Sequence, residues 1–546
     1  MSFSSRSPAW TLALARTGGA FDPLVTSNDA PTLVQVDCVQ YRVDTLMRQL
    51  EMMAEHVLQL EEELMVYRTV LSPLRRLPLE ILGEIFKLMF PSFLNAYDRK
   101  EMRNLGSVCR RWRDALLNAS SLWKGVILGP CICRPRTTKK SKRRHVGDYD
   151  HLLEWFNRAK GCPKGLIYSG VDTGCRCVRV GGRCFSVDPT VVRFLKEGPA
   201  LDHLSLQLSG PNCFRNWMAA LGASPGTSLN PLRSLRSFSL EFIDEVPQTW
   251  NDGDDLESSV FTLLPHVQSL AVYLPYREDV FDDEMDSSDC PINIPPVVLG
   301  PLVSLTIRWD WEGRGLLDLL ASCNALETFT LDLNRSEPFD GCSSLFPLLL
   351  KFLRALRIVR GGVRLLELVR TPALTSLDLE LRTSRAEGLL VPSRLKRFMH
   401  MSEVEGSLRY LRLCHMVGVS GIVSLGLPRL PSLRHLVLDS ETVSSYYFGP
   451  VGLRRSRGGV EMKFPVLQRL DLLNLKRCQS SLSHEIQYLQ GRQVETECMI
   501  TVSYSEDAIV TESLLQSRVR QRRSDTLVSV QVIPVIRYDE ERGLTL

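Results

Sequence analysis

The sequence predicts an α/β protein in which a long N-terminal helix and a small helical module precede an irregular solenoid of short strands. Three patterns support this fold class: a heptad repeat of apolar residues, a segment with helical spacing, and an LxxLxL phrase that recurs through the C-terminal part. With 546 residues, 44% of them hydrophobic, the chain is longer than one compact core requires. Several units, or one elongated array, are therefore expected.

The overall composition argues against membrane insertion and against recognition of nucleic acid through net charge. Lys and Arg total 66 against 62 Asp and Glu, which leaves a net charge of only +4. No stretch approaches the roughly 20 consecutive apolar residues that a membrane span requires. The 15 cysteines lack the paired spacing of small secreted domains. We therefore expect reduced thiols and a location in the cytoplasm or the nucleus.

The N-terminal part divides into a leader and a heptad helix. Residues 1–36 are rich in Ser, Thr, Gly and Pro without periodicity, and we expect them to be disordered. Residues 37–72 place apolar side chains at alternating spacings of three and four, which predicts one helix that Pro73 ends. The a positions are Val43, Leu50, Val57, Leu64 and Leu71, and the d positions are Leu46, Met53, Leu60 and Tyr67. Two interpretations stay open: the apolar stripe packs on the following module, or it forms a coiled-coil homodimer.

Residues 73–127 predict a small module of two main helices. Pro78 suits the first position of a helix, where its missing amide proton is not needed. The apolar residues that follow cover more of the helix circumference than one core buries, so part of this surface is expected to need a second partner. A second helix is predicted from about Asp98, with most arginines away from its apolar face.

Three short motifs follow each other through this module: LPLEILGEIF from Leu77, LGSVCRRWR from Leu105, and the pair Leu122 and Trp123. Together they resemble the F-box, although the link between the two halves, residues 91–100, is longer than usual. This resemblance implies binding to the Skp-type adaptor of a cullin-RING ubiquitin ligase and, through it, to the cullin scaffold. The contact residues that it implies are Leu74, Leu77, Pro78, Ile81, Ile85, Phe86, Leu105, Val108 and Trp112.

Residues 128–194 form a basic connector that contains cysteines. Its basic cluster, residues 134–144, indicates either a solvated loop or an import signal or nucleic-acid contact, and the lack of interleaved aromatic residues argues against base stacking. Structural zinc sites use cysteine pairs separated by roughly two to four residues. The connector has irregular Cys-x-Cys spacings instead. Its cysteines are Cys131, Cys133, Cys162, Cys175, Cys177 and Cys184. We expect free thiols here, and neither a metal nor another cofactor.

Residues 195–546 contain ten copies of the LxxLxL phrase, which we call the repeat segments. They begin at Leu201, Leu235, Val267, Leu302, Leu326, Leu353, Leu374, Leu408, Leu433 and Leu467. Each predicts a short strand that cannot bury its apolar face alone, whereas stacked copies bury a continuous core. The spacing indicates a leucine-rich-repeat solenoid with insertions and a terminal cap. Between the strands, GLLDLLASCNAL and SSLFPLLLKFLRAL predict outer helices.

Polar residues alternate with the buried positions of the repeat segments. The outward-pointing positions include Ser205, Gln207, Ser239, Glu241, Arg308, Asp332, Asp378, Glu380, Arg412 and Asp439. Their variety suits a surface that recognises a target protein, but solvated strand faces would look the same. No contact residue on the array is singled out.

No catalytic motif stands in a suitable context, so we expect no enzyme activity and no catalytic residue. The order of heptad helix, F-box-like module and leucine repeats also resembles a group of F-box proteins that are numerous in mushroom-forming fungi. Together these features predict the substrate-recognition adaptor of a Skp-cullin-F-box ubiquitin ligase. The alternative is a protein-interaction scaffold that does not cause degradation.

Overall fold

The structure is a computed structural model of the chain. It describes residues 30–71, 73–129, 149–170, 175, 184–222, 232–243, 259–275, 292–309, 314–333, 339, 347–381, 390–414, 427–439, 464–475, 498–504, 528–532, 538–539 and 543–544. The chain forms two compact units, Met1–Leu82 and Gly83–Leu546. No helix among the described residues is long and apolar enough to cross a bilayer.

Helices and strands alternate through most of the second unit. The α-helices are α1 (Leu33–Val70), α2 (Leu79–Met89), α3 (Ala96–Val108), α4 (Arg110–Asn118), α5 (Tyr149–Arg158), α6 (Pro189–Glu197), α7 (Pro211–Leu221), α8 (Pro296–Leu299), α9 (Gly315–Ala321), α10 (Leu365–Leu368) and α11 (Val391–Met401). Short 3-10 helices occupy Pro73–Arg76, Ser120–Trp123, Val260–Leu263 and Val404–Gly406. The strands are β1 (Gly125–Leu128), β2 (Gly165–Ser169), β3 (His203–Leu208), β4 (Ser237–Phe242), β5 (Ser269–Tyr273), β6 (Ser304–Arg308), β7 (Thr328–Asp332), β8 (Leu348–Leu349), β9 (Ala355–Gly361), β10 (Val369–Arg370), β11 (Ser376–Leu381), β12 (Tyr410–Cys414), β13 (His435–Asp439), β14 (Arg469–Leu475), β15 (Cys498–Tyr504), β16 (Val528–Val532), β17 (Tyr538–Asp539) and β18 (Gly543–Leu544).

The first unit contains the predicted long helix. α1 begins at Leu33, inside the expected leader, because Thr32 caps it: the Thr32 backbone N–H donates to Gln35 Oε1 at 2.9 Å, and the Gln35 backbone N–H donates to Thr32 Oγ1 at 3.4 Å. No residue of α1 is buried. The heptad side chains are between 41% and 66% exposed. Residues 1–29 of the expected leader lie outside the described residues.

Among the described residues, fourteen strands of the second unit form one parallel sheet. Their order is β1-β2-β3-β4-β5-β6-β7-β9-β11-β12-β13-β14-β15-β16, so neighbouring strands also follow each other along the chain. Parallel strands that pair in chain order are compatible with a repeat solenoid. The short strands β8 and β10 pair with each other, and β17 pairs with β18, outside this sheet.

All ten repeat segments form strands, which confirms this part of the prediction. Each strand begins two residues after the first apolar residue of its segment, and that first residue is buried in every copy. Inside the strands, buried residues lie opposite each other across the register: Leu204 pairs with Phe238, and Phe238 with Leu270. One core cluster of buried residues extends from β1 to β15.

The sheet also extends into segments where no strand was expected. β1 lies at the end of the helical module, and β2 lies in the segment taken as a connector. Both segments, GVIL and GLIYS, bury most of their residues. No strand was predicted there because both lack the leading leucine that marks the repeat segments. The predicted helix in GLLDLLASCNAL is present as α9, whereas SSLFPLLLKFLRAL was wrongly assigned. Its described part holds β8 and the start of β9, because an apolar leucine run suits strand and helix equally well.

Several sequence features lie outside the described residues. These are the basic cluster at residues 134–144 and the cysteines Cys131, Cys133 and Cys177.

The polar face of the sheet carries ion pairs between neighbouring strands. Arg412 on β12 lies between two aspartates: its Nη1 is 3.1 Å from Asp378 Oδ1 on β11, and its Nη2 is 3.5 Å from Asp439 Oδ2 on β13. The side chains of Arg412 and Asp439 are only 5% and 1% exposed. Because these charges are shielded from water, each depends on its partner for stabilisation.

Replacing Arg412 by alanine leaves the buried Asp439 carboxylate and the half-buried Asp378 carboxylate without this ion-pair partner. We expect R412A to lower the free energy of unfolding by about 3 kcal/mol or more, the cost of removing one partner of a buried ion pair. Chemical denaturation followed by circular dichroism measures this change.

The matched control is R236A, because Arg236 pairs with Asp202 at 3.7 Å but its side chain is 79% exposed. An exposed pair of this kind contributes about 0–1 kcal/mol, so R236A should unfold like the unaltered chain. Equal losses in both variants would contradict the assigned role of the buried pair.

Candidate docking surface

The helical module buries one face of α2 against α4. Phe86 is 1% exposed, and its ring lies edge-on against Trp112 with 5.3 Å between the ring centroids. Gly83 lies on the same helix, where an added Cβ would be 3.5 Å from the Cβ of Ala119. α2 therefore packs closely on the segment around Ala119, and Trp112 fills the space beside Phe86.

The remaining surface of α2 is apolar but exposed. Ile81, Ile85 and Leu88 are 46%, 38% and 89% exposed, and Met89 is 57% exposed. The spacings of four and three between the first three residues place them on one side of the helix. We call Ile81, Ile85 and Leu88 the α2 stripe. Such a stripe is more apolar than a solvated helix face requires, which is typical of a protein-binding surface.

The nine contact residues implied by the F-box resemblance differ in their exposure to solvent. Those that are exposed are Leu74, Pro78, Ile81, Ile85 and Val108. Those that are half-buried are Leu77, Leu105 and Trp112. Phe86 was expected among the contacts, but it is buried against Trp112 and therefore serves the core of the module. Leu88 was not singled out, although its spacing from Ile81 and Ile85 was a signal that could have identified it.

The long link between the two halves of the module continues the sheet. Leu94 forms a parallel bridge with Val126 of β1, and its backbone carbonyl accepts a hydrogen bond from Ile127 at 2.9 Å. Arg99 Nη1 donates to the same Leu94 carbonyl at 2.9 Å and to the Ile127 carbonyl at 2.7 Å. Burial, with a smaller effect of Arg103, lowers the pKa of the Arg99 guanidinium. The link is thus held by backbone pairing and by the half-buried Arg99.

The start of α3 is fixed by the same link. Asn95 accepts hydrogen bonds at its Oδ1 from the backbone N–H groups of Tyr97 and Asp98, at 2.7 and 3.0 Å. Asp98 Oδ2 accepts from the Asn95 N–H at 3.0 Å in return. This reciprocal capping box satisfies the free N–H groups of the first turn, and it explains why the helix begins at Ala96.

Trp123 connects the module to the following helix. Its Nε1 donates to the Leu116 carbonyl of α4 at 3.0 Å, and its ring lies 4.7 Å from that of Trp155 in α5. The Arg158 guanidinium lies over the Trp123 ring at 4.6 Å. The final Leu-Trp pair of the motif therefore joins α4 to the first helix of the sheet region.

The polar face of the sheet is the second candidate surface. Of the ten outward positions predicted, none is fully exposed: five are half-buried, and Ser205, Asp332, Glu380, Arg412 and Asp439 are buried. Many bond to each other across strands. Gln207 Nε2 donates to Glu241 Oε2 at 2.9 Å. Arg308 lies 3.4 Å from Glu241 and 3.6 Å from Asp332. These side chains therefore form an ordered ladder instead of a freely solvated face.

Burial and hydrogen bonds on the polar face of the sheet also shift the pKa values of its side chains. Burial opposes the charge of Asp471, but hydrogen bonds with His435 and Arg469 outweigh it and lower the pKa of the Asp471 carboxyl. His435 Nε2 lies 2.8 Å from Asp471 Oδ2. Burial also raises the pKa of Tyr410, whose ring is 5.1 Å from that of His435, to about 12. Asp471 thus carries a negative charge, and Tyr410 carries none, at neutral pH.

Comparison with known proteins identifies the helical module. Residues 74–128 match the F-box-like family, and the match ends with β1. No curated protein matches the chain. F-box domains bind Skp-type adaptors, and their presence indicates in general a role as a ubiquitin-ligase adaptor. The chain therefore contains an F-box-like domain that carries the α2 stripe.

Proposed function

We propose that this chain is the substrate-recognition adaptor of a Skp-cullin-F-box ubiquitin ligase, without catalytic activity of its own. The F-box-like domain binds the Skp-type adaptor, the cullin joins through that adaptor, and the polar face of a leucine-rich-repeat array holds a target protein. The observation that carries this proposal is the F-box-like match at residues 74–128 together with the exposed α2 stripe.

Burial of the α2 stripe provides the binding energy in this proposal. Leu88 is 89% exposed, so an adaptor that covers it removes nearly a whole leucine side chain from water. Full burial of such a side chain is worth about 1.5–3 kcal/mol. Ile81 and Ile85 add smaller amounts because both are already partly covered. A few buried residues usually carry most of the binding energy of a protein interface.

The target surface is proposed on the polar face of the sheet. Its half-buried polar side chains are held by ion pairs between neighbouring strands, as at Arg308 and at Arg412. A side chain that is already held in place loses little conformational entropy when a partner binds. The polar face is thus a rigid pattern of charges suited to recognising one protein, in the cytoplasm or the nucleus.

The proposal includes homodimerisation through α1. This helix has 38 residues and therefore a length of about 57 Å, yet it buries none of them. Helices of globular proteins take most of their stability from burying an apolar face. The heptad positions of α1 form such a face, and a second copy of the chain supplies the matching one.

The docking role is tested with L88D. A charge at this position prevents burial of the α2 stripe. We therefore expect the affinity for the Skp-type adaptor to fall by about ten- to a hundred-fold, which corresponds to the free energy of burying one leucine side chain. Isothermal titration calorimetry with the full chain measures the affinity.

The control for this variant is V297D, because Val297 is an exposed aliphatic residue, 64% exposed, on the distant helix α8. It should bind the adaptor as the unaltered chain does. Undiminished binding by a folded L88D variant would refute docking through α2.

A reconstitution experiment distinguishes the function of a ligase adaptor from that of a non-degradative scaffold. The full chain is combined with the Skp-type adaptor, the cullin-RING core, the ubiquitin-conjugating enzyme and ubiquitin. We expect ubiquitin chains on this chain or on proteins that co-purify with it, detected by immunoblot, and their loss in L88D. Adaptor binding without any ubiquitin transfer would favour the non-degradative scaffold.

Dimerisation is tested by light scattering of the full chain. The double variant of Leu50→Asp and Val57→Asp places charges at two a positions, and we expect it to be a monomer where the unaltered chain is a dimer. The matched control changes Met52 and Leu58 to Asp; both are 63% exposed but lie outside the heptad seam. A monomeric unaltered chain at micromolar concentration would exclude the dimer.

A further inference from the structure

Three cysteines meet between α7 and the segment that precedes α6. The Sγ atoms of Cys175, Cys184 and Cys213 all lie within 4.8 Å of one another. Cys175 Sγ and Cys184 Sγ are 3.7 Å apart. Cys175 and Cys213 are buried, and Cys184 is half-buried. Spacing along the chain did not group them, because Cys213 lies in a separate helix.

The distances fit a tetrahedral metal ion. Zinc binds thiolate sulfur at about 2.3 Å in tetrahedral geometry, which separates two sulfur ligands of the same ion by about 3.8 Å. The separation of Cys175 Sγ and Cys184 Sγ, 3.7 Å, is close to this value. It is too long for a disulfide, in which the two sulfur atoms are about 2.05 Å apart. Three thiolates leave one ligand position for water or a further donor.

Rigid neighbours hold the cluster in place. Ser186 is fully buried, and its backbone carbonyl accepts hydrogen bonds from Tyr168 Oη at 2.8 Å and Trp217 Nε1 at 3.0 Å. The Ser186 hydroxyl lies 3.6 Å from Cys213 Sγ. The rings of Tyr168 and Trp217 are 5.0 Å apart. Such surrounding contacts orient metal ligands and are typical of built metal sites.

The position of Cys213 in α7 favours the ionised form of its side chain. Cys213 is the third residue of α7, where the positive end of the helix stabilises a thiolate. A divalent cation adds the remaining stabilisation, and each bound thiol releases its proton to solvent.

We infer that Cys175, Cys184 and Cys213 form a zinc site that ties Cys175, which follows β2 along the chain, to Cys184 and to helix α7. β2 and β3 are paired strands of the sheet, and α7 follows β3 directly. The ion therefore links Cys175, which follows β2, and Cys184, which precedes α6, to the helix that follows β3. This site is independent of the docking function proposed above.

The test begins with metal analysis of the full chain purified without chelators. Inductively coupled plasma mass spectrometry is expected to find about one zinc ion per chain. Exchange with Co²⁺ should produce the strong near-ultraviolet absorption of thiolate-to-cobalt charge transfer and the visible bands of a tetrahedral ion. These two measurements require no variant, so they do not depend on how a substitution affects folding.

Variants then assign the ligands. C213S is expected to lose most of the zinc and the charge-transfer band. The control C323S should keep both, because Cys323 is similarly buried, 5% against 2% exposed, and belongs to a different region, after α9. A zinc-free chain without cobalt bands, a C213S variant with full zinc content, or a Cys175–Cys184 disulfide found by mass spectrometry would each overturn the inference.

Discussion

Parallel pairing in one register is the constraint on which the rest of the sheet depends. A strand such as β4 buries alternate residues, Phe238, Leu240 and Phe242, on one side only, and it cannot shield them alone. Its neighbours place Leu204 on one side of Phe238 and Leu270 on the other. A shift by one residue would move every leucine of a strand to the polar face, so the apolar rows fix the register strongly. Stability is consequently shared between neighbours and is not a property of any single repeat segment.

The same register decides which charges meet on the opposite face. Arg357, Asp378 and Arg412 lie opposite each other on β9, β11 and β12, so that an aspartate stands between two arginines. Asp378 lies 3.4 Å from Arg357 and 3.1 Å from Arg412. Opposite charges across strands are stabilising and like charges are not, so alternation of sign is what a parallel stack requires. A target that binds this face meets charges that already have partners. Its affinity must then come from added contacts more than from neutralising charge.

The sequence predicts the periodic parts of this structure well and the parts that depend on tertiary contacts poorly. All ten repeat segments form strands because a leading apolar residue and an alternating pair of apolar residues recur in each. β2 has no such leading residue, and its position becomes evident only through its pairing with β3. In the F-box-like domain, the motif identifies Ile85 and Phe86 together. Their separation into an exposed and a buried residue depends on Trp112, which lies on another helix. Cys213 and Cys184 are distant in the sequence, and they come close together only in the folded chain.

The F-box-like domain and the sheet are continuous because they share β1. Leu94 extends the pairing of this strand on one side, and β2 pairs on the other. The contact is so close that a Cβ on Gly125 would be 2.3 Å from the Ser92 carbonyl oxygen, and one on Gly165 would be 2.6 Å from the Phe93 ring. Glycine at position 125 thus leaves room for the Ser92 backbone, and glycine at position 165 leaves room for the Phe93 ring. Backbone pairing of this kind resists bending far more than a flexible linker does. The hydrogen bonds of β1 therefore fix the orientation of the sheet relative to α3 and α4.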